Sequence, residues 1–509
     1  VTFETSSTMT DAVDLPLDRW RMQVVEHVAR GYRFAGVYAS HDADTAQLHA
    51  LLVGGAWVSC FRTCLPPDSD GSTSYPALTP DVPAAFWYER ALHDLSGVVP
   101  IGHPRLDPLL LARQPGQPSP RPGHVDHAAL ERHIHSSATE PRGPVDVGGG
   151  GVFTLPLGPV RSGVYESIEF LIETPGEDIP HLNIRPHYKH RGIAKRFEAL
   201  RLADGILVAE RVEGISSVAH ALAFAHAAEN LTGARPPRRA RLVRVIHAEL
   251  ERIANHLDVV TRLCDAAGLA VPFARFGWHK ESLMRLISAL CGNRFGRSVV
   301  RVGGIGAQPR LAPAEVSAQL AVIVRRIRHD RDALMVDASF LDRLRGTGRL
   351  DPSLAASHGA LGPVGRGSGC DDDARKRPYD GYAELPVVDG TVVDDQGDAL
   401  ARLRVRWGEI DIAAELIRRA CDRLSPISDT AIAAPVEMAD GFALGWSEAS
   451  QGEVLYGLEV RGGTIRRCFA RSASLHNMLL FHDVFGGDIF TDFPFIEASF
   501  GLCYAGVAM

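Results

Sequence analysis

Arg185–Gly192, RPHYKHRG, and Arg211–His220, RVEGISSVAH, decide how this chain reads. The first stretch sets Arg185, His187, Tyr188, Lys189, His190 and Arg191 ahead of Gly192, a strand-to-helix corner. The second is a turn at Glu213-Gly214-Ile215-Ser216 that feeds a buried helix ending near Glu229. Gly192 and Gly214 supply the backbone freedom that such corners need. Glu213 and His220 lie within or beside the apolar run VEGISSVAHALAFAHA, where a charge is costly unless it is paired. That conflict with core packing marks a site.

Outward from this stretch, the chain of 509 residues is too long for one ordinary core. A net charge of -7 gives no electrostatic reason to expect nucleic acid. No apolar run is long enough to span a membrane. The first residues, VTFETSSTMTDAVDLPLDRW, are polar and acidic, unlike a signal peptide. Cysteines stand at 60, 64, 264, 291, 370, 421, 468 and 503. Only Cys60 and Cys64 are close, and no second pair completes a metal site, so they read as ordinary thiols of a reducing compartment.

The spacing predicts an α+β fold in three pieces. Residues 1–113 form a small α+β domain, with a helix over RWRMQVVEHVARGY and strands over FAGVYAS and HALLVGGAWVSCF. Within it, Arg90 and Asp94 are expected to pair across one helical turn. Residues 114–151, rich in Pro, Gly, Ser and His, form a linker. Its closing Gly148–Gly151 run has no Lys-Ser/Thr after it, which excludes a phosphate loop. Residues 152–509 form a mainly helical domain that opens with a hairpin around Gly158-Pro159 and Gly163, with further β elements at its periphery.

In that domain a long helix over ARLVRVIHAELERIANHLDVVTRL has an apolar stripe from Leu242 to Val260. Glu249, Glu251, Arg252 and Asp258 read as its wetter face. His247 and His256 are nine apart and do not share a metal in the manner of an i,i+4 pair. His226, on an Ala-rich helix, reads as a satisfied core histidine. Further helices fall on WHKESLMRLISALCG, AEVSAQLAVIVRRIRHDRDAL and RLRVRWGEIDIAAELIRRACDRL. A loop-rich segment covers 346–382, a closing hairpin GFALGWSEASQGEVLYGLEV, and a last helix SLHNMLLFHDVF.

These motifs resemble a known family. Arg211–His220 keeps the frame Arg-Val-Cys-Gly-Ile-Cys-x-x-Ala-His of the large subunit of membrane-bound nickel–iron hydrogenases of the formate hydrogenlyase type, with both cysteines replaced. The matching subunit of respiratory complex I is equally similar. Glu89, Arg90, Asp94 and Gly97 match the Glu-Arg-Glu-x-x-Asp-x-Phe-Gly pattern of the smaller complex I subunit, fused ahead of the large one. Ala91 and Ser96 depart from it. Gly362, Pro363, Arg366, Ser368 and Gly369 match the hydrogenase segment Gly-Pro-x-x-Arg-Ala-Ser-Gly, with Gly367 for the alanine.

In the resembling hydrogenases the metals sit on thiolates from two Cys-x-x-Cys pairs, because soft sulfur suits them. The corresponding positions here are Glu213, Ser216, Cys503 and Gly506, so a single thiol remains. The resemblance therefore implies a metal site in vestige. Complex I sets a His in the first hairpin turn and a Tyr near the lost metal site to serve a quinone. Here that turn carries Arg161 and Tyr165, and the Tyr position falls on Gly214. Arg161 remains a cation at neutral pH and cannot donate a proton.

The expected catalytic set is Glu213, Arg211, His220 and Arg366. The expected cofactor-side set is Arg161, Tyr165, His187, His190 and Arg191. Glu213 either shifts its charge against Arg211 or Arg366 as a proton or coupling element, or belongs to an internal ion-pair network that holds the chain's two ends together. The resemblance implies a peripheral subunit on the cytoplasmic side of the membrane. It implies a small iron–sulfur subunit and antiporter-like membrane-arm subunits as partners. No cofactor is expected on this chain itself: a quinone at a partner interface, and a 4Fe–4S cluster and NAD only through partners. The implied function is electron transfer coupled to ion movement. The alternative is a structural or coupling subunit without redox chemistry.

Overall fold

The computed structural model describes residues 12–42, 45–55, 57–69, 71–111, 149–161, 166–377, 379–385 and 392–509. Most of the expected linker, including its boundary at 113/114, and Tyr165 lie outside them.

The N-terminal unit is a four-stranded sheet in the order β1-β4-β3-β2, built from Ala12–Asp14, Arg33–Asp42, Thr45–Gly54 and Trp57–Leu65 as β1 to β4. β1 runs parallel to β4 and the rest is antiparallel. Helices α1 (Leu17–Ala29) and α2 (Phe86–Ser96) belong to this unit, along with a short parallel pair, β5 (Ser74–Pro76) and β6 (Val99–Ile101). β2 is buried almost end to end, as expected of a strand covered on both faces. Phe34, Val37 and Ala39 join the core shared with α2 and the C-terminal segment, while Ala35 and Tyr38 turn to the other core. The Tyr38 ring stacks on Phe469 at 4.4 Å, so the unit is packed directly on the rest of the chain.

Arg90 and Asp94 do not pair with each other. Arg90 reaches the Asp107 carboxylate and the carbonyls of Asp107 and Pro108, and Asp94 accepts from the amides of Leu109 and Leu110 at 2.7 Å. Buried backbone groups of a segment that makes no helix or strand need partners, and that demand outweighs a local ion pair. Glu89 serves the same end on Leu78, Thr79 and Tyr75. The motif fastens loops.

The second unit opens with the antiparallel sheet β7 (Phe153–Leu157), β8 (Glu169–Thr174) and β9 (His181–Arg185), one strand more than the expected hairpin. The corner follows, then α3 (Ile193–Phe197), α4 (Leu202–Ala209) and α5 (Ser217–Thr232). Next come the long α6 (Arg238–Ala266) and α7 (Ala270–Cys291), the short pair β10 (Val300–Arg301) and β11 (Gly304–Ile305), and α8 (Pro313–Leu334). Short helices α9 (Ala338–Leu344), α10 (Pro352–His358) and α11 (Gly362–Arg366) lead to α12 (Ala399–Leu424). α6, α7, α8 and α12 pack together around the apolar stripe read from the sequence.

The closing hairpin gains a third strand: β12 (Gly441–Ala449), β13 (Gly452–Arg461) and β14 (Thr464–Arg471). This sheet lies deep, with α5 laid across it. The approach is close enough that a Cβ on Gly445 would meet the Ala227 Cα at 2.7 Å. An Ala-rich helix suits that spacing, since small side chains let backbones approach. Helices α13 (Ala473–Met478), α14 (Phe493–Phe500) and α15 (Tyr504–Ala508) bring the end of the chain back under the corner.

Candidate functional site

Glu213 sits in the turn between α4 and α5 and is only 1 % exposed. One carboxylate oxygen accepts from the Ser472 hydroxyl; the other lies 3.6 Å from His220 Nε2. His220, one turn into α5, is fully buried, and its Nδ1 is 2.9 Å from the Tyr456 hydroxyl of β13. Its Nε2 has no hydrogen-bond partner among the described residues and faces the carboxylate. Burial pushes the Tyr456 hydroxyl well above its ordinary pKa, with Cys468 and Glu213 adding to the rise, so it stays protonated. Ser472 also accepts from the Ser474 amide, and Ser474 Oγ accepts from the Cys503 amide at 3.1 Å.

Cys503, just before α15, points its thiol at Glu166, 3.3 and 3.4 Å from the two carboxylate oxygens. Glu166 also accepts from the Ala505 amide at 2.9 Å. Burial, together with Glu213 and Glu166, holds the Cys503 thiol well above its ordinary pKa. A thiol between two carboxylates is a donor, because a thiolate there would be repelled by both. Ser216 donates to Gln451 Oε1 at 2.9 Å.

Gly506 decides the shape of the cavity. A Cβ built on it would stand 2.5 Å from Glu213 Cδ and 2.7 Å from Ser472 Oγ, with a Glu213 oxygen closer still. The Glu213 carboxylate thus occupies the space that a side chain at 506 needs.

The structure gathers Glu213, Ser216, His220, Cys503 and Gly506, and separates the rest. Arg211 is half exposed and turns outward to Glu210 at 2.7 Å and the Leu207 carbonyl. Arg366 is fully buried but lies in a different network: Glu409 at 2.5 Å, Glu448 at 3.0 Å and the Asp372 carbonyl at 2.7 Å. Neither cation meets Glu213, whose carboxylate contacts among the described residues are a hydroxyl and an imidazole. Two residues of the expected wetter face of α6 are also buried there, Arg252 bridging Glu249 at 2.9 Å and Glu409 at 3.4 Å, while Glu251 and Asp258 stay half-buried. Arg375 joins Asp373 to Glu249, so part of the loop-rich segment is buried with them. Paired this way, charges tolerate an interior that their sequence pattern did not announce.

The remaining basic and polar candidates act as clamps. Arg161 grips Glu497 with both terminal nitrogens, at 3.1 and 2.5 Å, and lies over the Phe170 ring. Glu497 also accepts from the Tyr504 hydroxyl, so the hairpin is tied to α14 and α15. His190 Nδ1 is 2.6 Å from the Ala508 carbonyl. Arg191 donates to the carbonyls of Val212 at 2.5 Å and Ala505 at 2.9 Å, joining the Glu213 turn to α15. His187 packs on Tyr188; burial and Arg185 lower its pKa to about 4. His226 is bonded to the Trp446 backbone and held near 4 by burial, a core histidine.

Sequence reasoning missed Glu166, Tyr456, Ser472 and Ser474. Glu166 follows Tyr165 at the hairpin and carries no spacing signal, and the others sit on the closing sheet and the helix after it.

Comparison with known proteins gives this arrangement a lineage. The family described as respiratory-chain NADH dehydrogenase, 49 Kd subunit, matches residues 267–442. The 30 Kd subunit family matches residues 2–123. Formate hydrogenlyase subunit 5 of Escherichia coli (strain K12) is 30% identical over 447 residues, covering 85% of this chain and 76% of that protein. The chain belongs to this family of fused 30 Kd and 49 Kd-type subunits of oxidoreductase complexes. Hydrogenase-4 component G of the same organism is 28% identical over 86% of this chain and 76% of its own length. NADH-quinone oxidoreductase subunit 4 of Thermus thermophilus is 34% identical over 54% of this chain and 67% of its length. A chain of the membrane-bound sulfane sulfur reductase, an archaeal respiratory membrane complex, shares the fold with a TM-score of 0.65 at 22% identity, over 70% of this chain and 99% of that one. No helix among the described residues is long and apolar enough to cross a membrane.

Proposed function

We propose that this chain is a peripheral subunit of a membrane-bound, complex-I-like oxidoreductase in which a protonatable carboxylate has taken over the metal cavity. One observation carries the reading: the Glu213 carboxylate fills the space that a fourth ligand side chain at 506 would need. The donor set supports it. A nickel–iron pair needs several soft, charged sulfurs. Here the single thiol, Cys503, keeps its proton against Glu166; Ser216 is a hydroxyl donor; Gly506 has no side chain. These residues do not fit such a centre.

What they form is a chain of proton-holding groups. Tyr456, His220, Glu213 and Ser472 follow one another, and Cys503 with Glu166 lies beside them. A proton taken up by His220 makes an imidazolium, and its passage to the Glu213 carboxylate restores neutral His220; that transfer is the local event that a partner's redox change would drive. Redox chemistry itself falls to partners: an iron–sulfur subunit with its 4Fe–4S cluster, an electron donor such as NADH, and a quinone at the subunit interface, on the cytoplasmic face of the membrane. The clamps from Arg161 and Arg191 to the C-terminal helices also favour a second reading, a coupling subunit that transmits movement without electron transfer.

Glu213→Gln separates these readings. A proton role predicts that the complex assembles normally and loses turnover; a structural role predicts normal turnover. Metal analysis of the purified complex tests the first premise. Stoichiometric nickel with hydrogen-dependent dye reduction overturns it.

A further inference from the structure

A cavity of about 400 Å³ lies between the N-terminal unit and the corner, with Val507 and Ala508 of α15 in its wall. Such a volume falls in the range of roughly 300–1,000 Å³ usual for small-molecule sites. Its walls are apolar: Leu92 and Leu95 come from α2, Ile193 from α3, Leu475 from α13 and Val507 from α15. The ionisable side chains that line it are Tyr38, Tyr88, His190, Lys195, Arg467 and Cys468, with no Asp or Glu among them, and Met509 lies at the same wall.

Most of these groups are committed or neutral. The Tyr88 hydroxyl bonds His476, and burial raises the Tyr38 and Cys468 pKa values well above their ordinary values. His190 spends Nδ1 on the Ala508 carbonyl, and burial lowers its pKa. That leaves Lys195 and Arg467 against one carboxylate, Glu198, which Arg467 reaches only at 3.4 Å. Arg467 Nε is buried and has no hydrogen-bond partner among the described residues. Arg467 therefore brings an unused donor to an apolar chamber, and a buried guanidinium N–H without an acceptor is costly.

We propose that this cavity binds a medium-chain carboxylate, its alkyl chain between α2, α3 and α15 and its head at Arg467 and Lys195. The apolar body is recognised by burial, and the head by a charge-assisted hydrogen bond to the free Arg467 donor. The site is independent of the Glu213 reading, since none of the residues named for the ligand belongs to that network.

Calorimetry of the purified full chain with decanoate, decanol and phosphatidylglycerol vesicles tests it. Saturable decanoate binding is expected, weakened about tenfold or more in Arg467→Gln by loss of the charge-assisted bond. Ala194→Trp, at the half-buried lining of the same cavity, is expected to block it while the circular dichroism spectrum is kept. Decanol is expected to bind more weakly and to ignore Arg467→Gln. Absence of saturable decanoate binding overturns the proposal, as does binding that neither substitution alters. Vesicle binding lost in Ala194→Trp without any decanoate binding assigns the site to a phospholipid chain and overturns the free carboxylate.

Discussion

Gly506→Ala sets two magnitudes against each other. Gly506 lies in α15 at an ordinary φ, so helix propensity alone predicts a gain of about 1 kcal/mol. The new Cβ, however, would stand 2.5 Å from Glu213 Cδ and 2.7 Å from Ser472 Oγ. Glu213 is only 1 % exposed and must then leave its serine and histidine contacts without reaching water. Orphaning a buried carboxylate costs about 3–5 kcal/mol. The expected net loss is about 2–4 kcal/mol. Urea unfolding of the parent, Gly506→Ala, Glu213→Ala and the double variant closes a cycle. The double variant is expected to recover a coupling of about 2–3 kcal/mol, because the clash disappears with the carboxylate. A Gly506→Ala protein as stable as the parent, or a cycle without coupling, would show that the carboxylate does not fill this space.

Arg366→Ala strands Glu409 and Glu448 in the interior and is expected to cost about 3–5 kcal/mol, read by chemical denaturation, while leaving the Glu213 cavity unchanged. Acid should destabilise the protein through His247 and His256, whose pKa values burial lowers to about 4. The unfolded chain binds their protons below about 6.5, so stability is fully present above that pH and is lost as pH falls toward 4, by up to about 3 kcal/mol per histidine. The neutral form of His256 fits its contacts, since Arg406 donates to Nδ1 and Nε2–H donates to Glu409. A pH series of unfolding midpoints flat from 7 to 4.5 contradicts this. Arg191→Ala removes donors to Val212 and Ala505, and faster amide hydrogen exchange across 504–508 is the expected sign.

The sequence by itself determined the local framework. Periodicity placed the long helices, because an apolar stripe at helical spacing has no other stable use. The turn at Glu213 before an apolar helix marked the site, because a carboxylate in that company needs a reason. Tertiary structure decided what the site contains. Ser472, Tyr456 and Glu166 reach Glu213 and its neighbours His220 and Cys503 from segments remote in the chain, and no spacing rule links positions brought together only by the closing sheet and the returning C-terminus. The same limit misplaced Arg211 and Arg366. A cation expected to meet Glu213 goes to whichever carboxylate the packing offers, which here is Glu210 for one and Glu409 with Glu448 for the other. Gly506 shows the division most clearly. In the sequence it is an absence, a ligand position without a side chain; in the fold it is the room that the Glu213 carboxylate occupies.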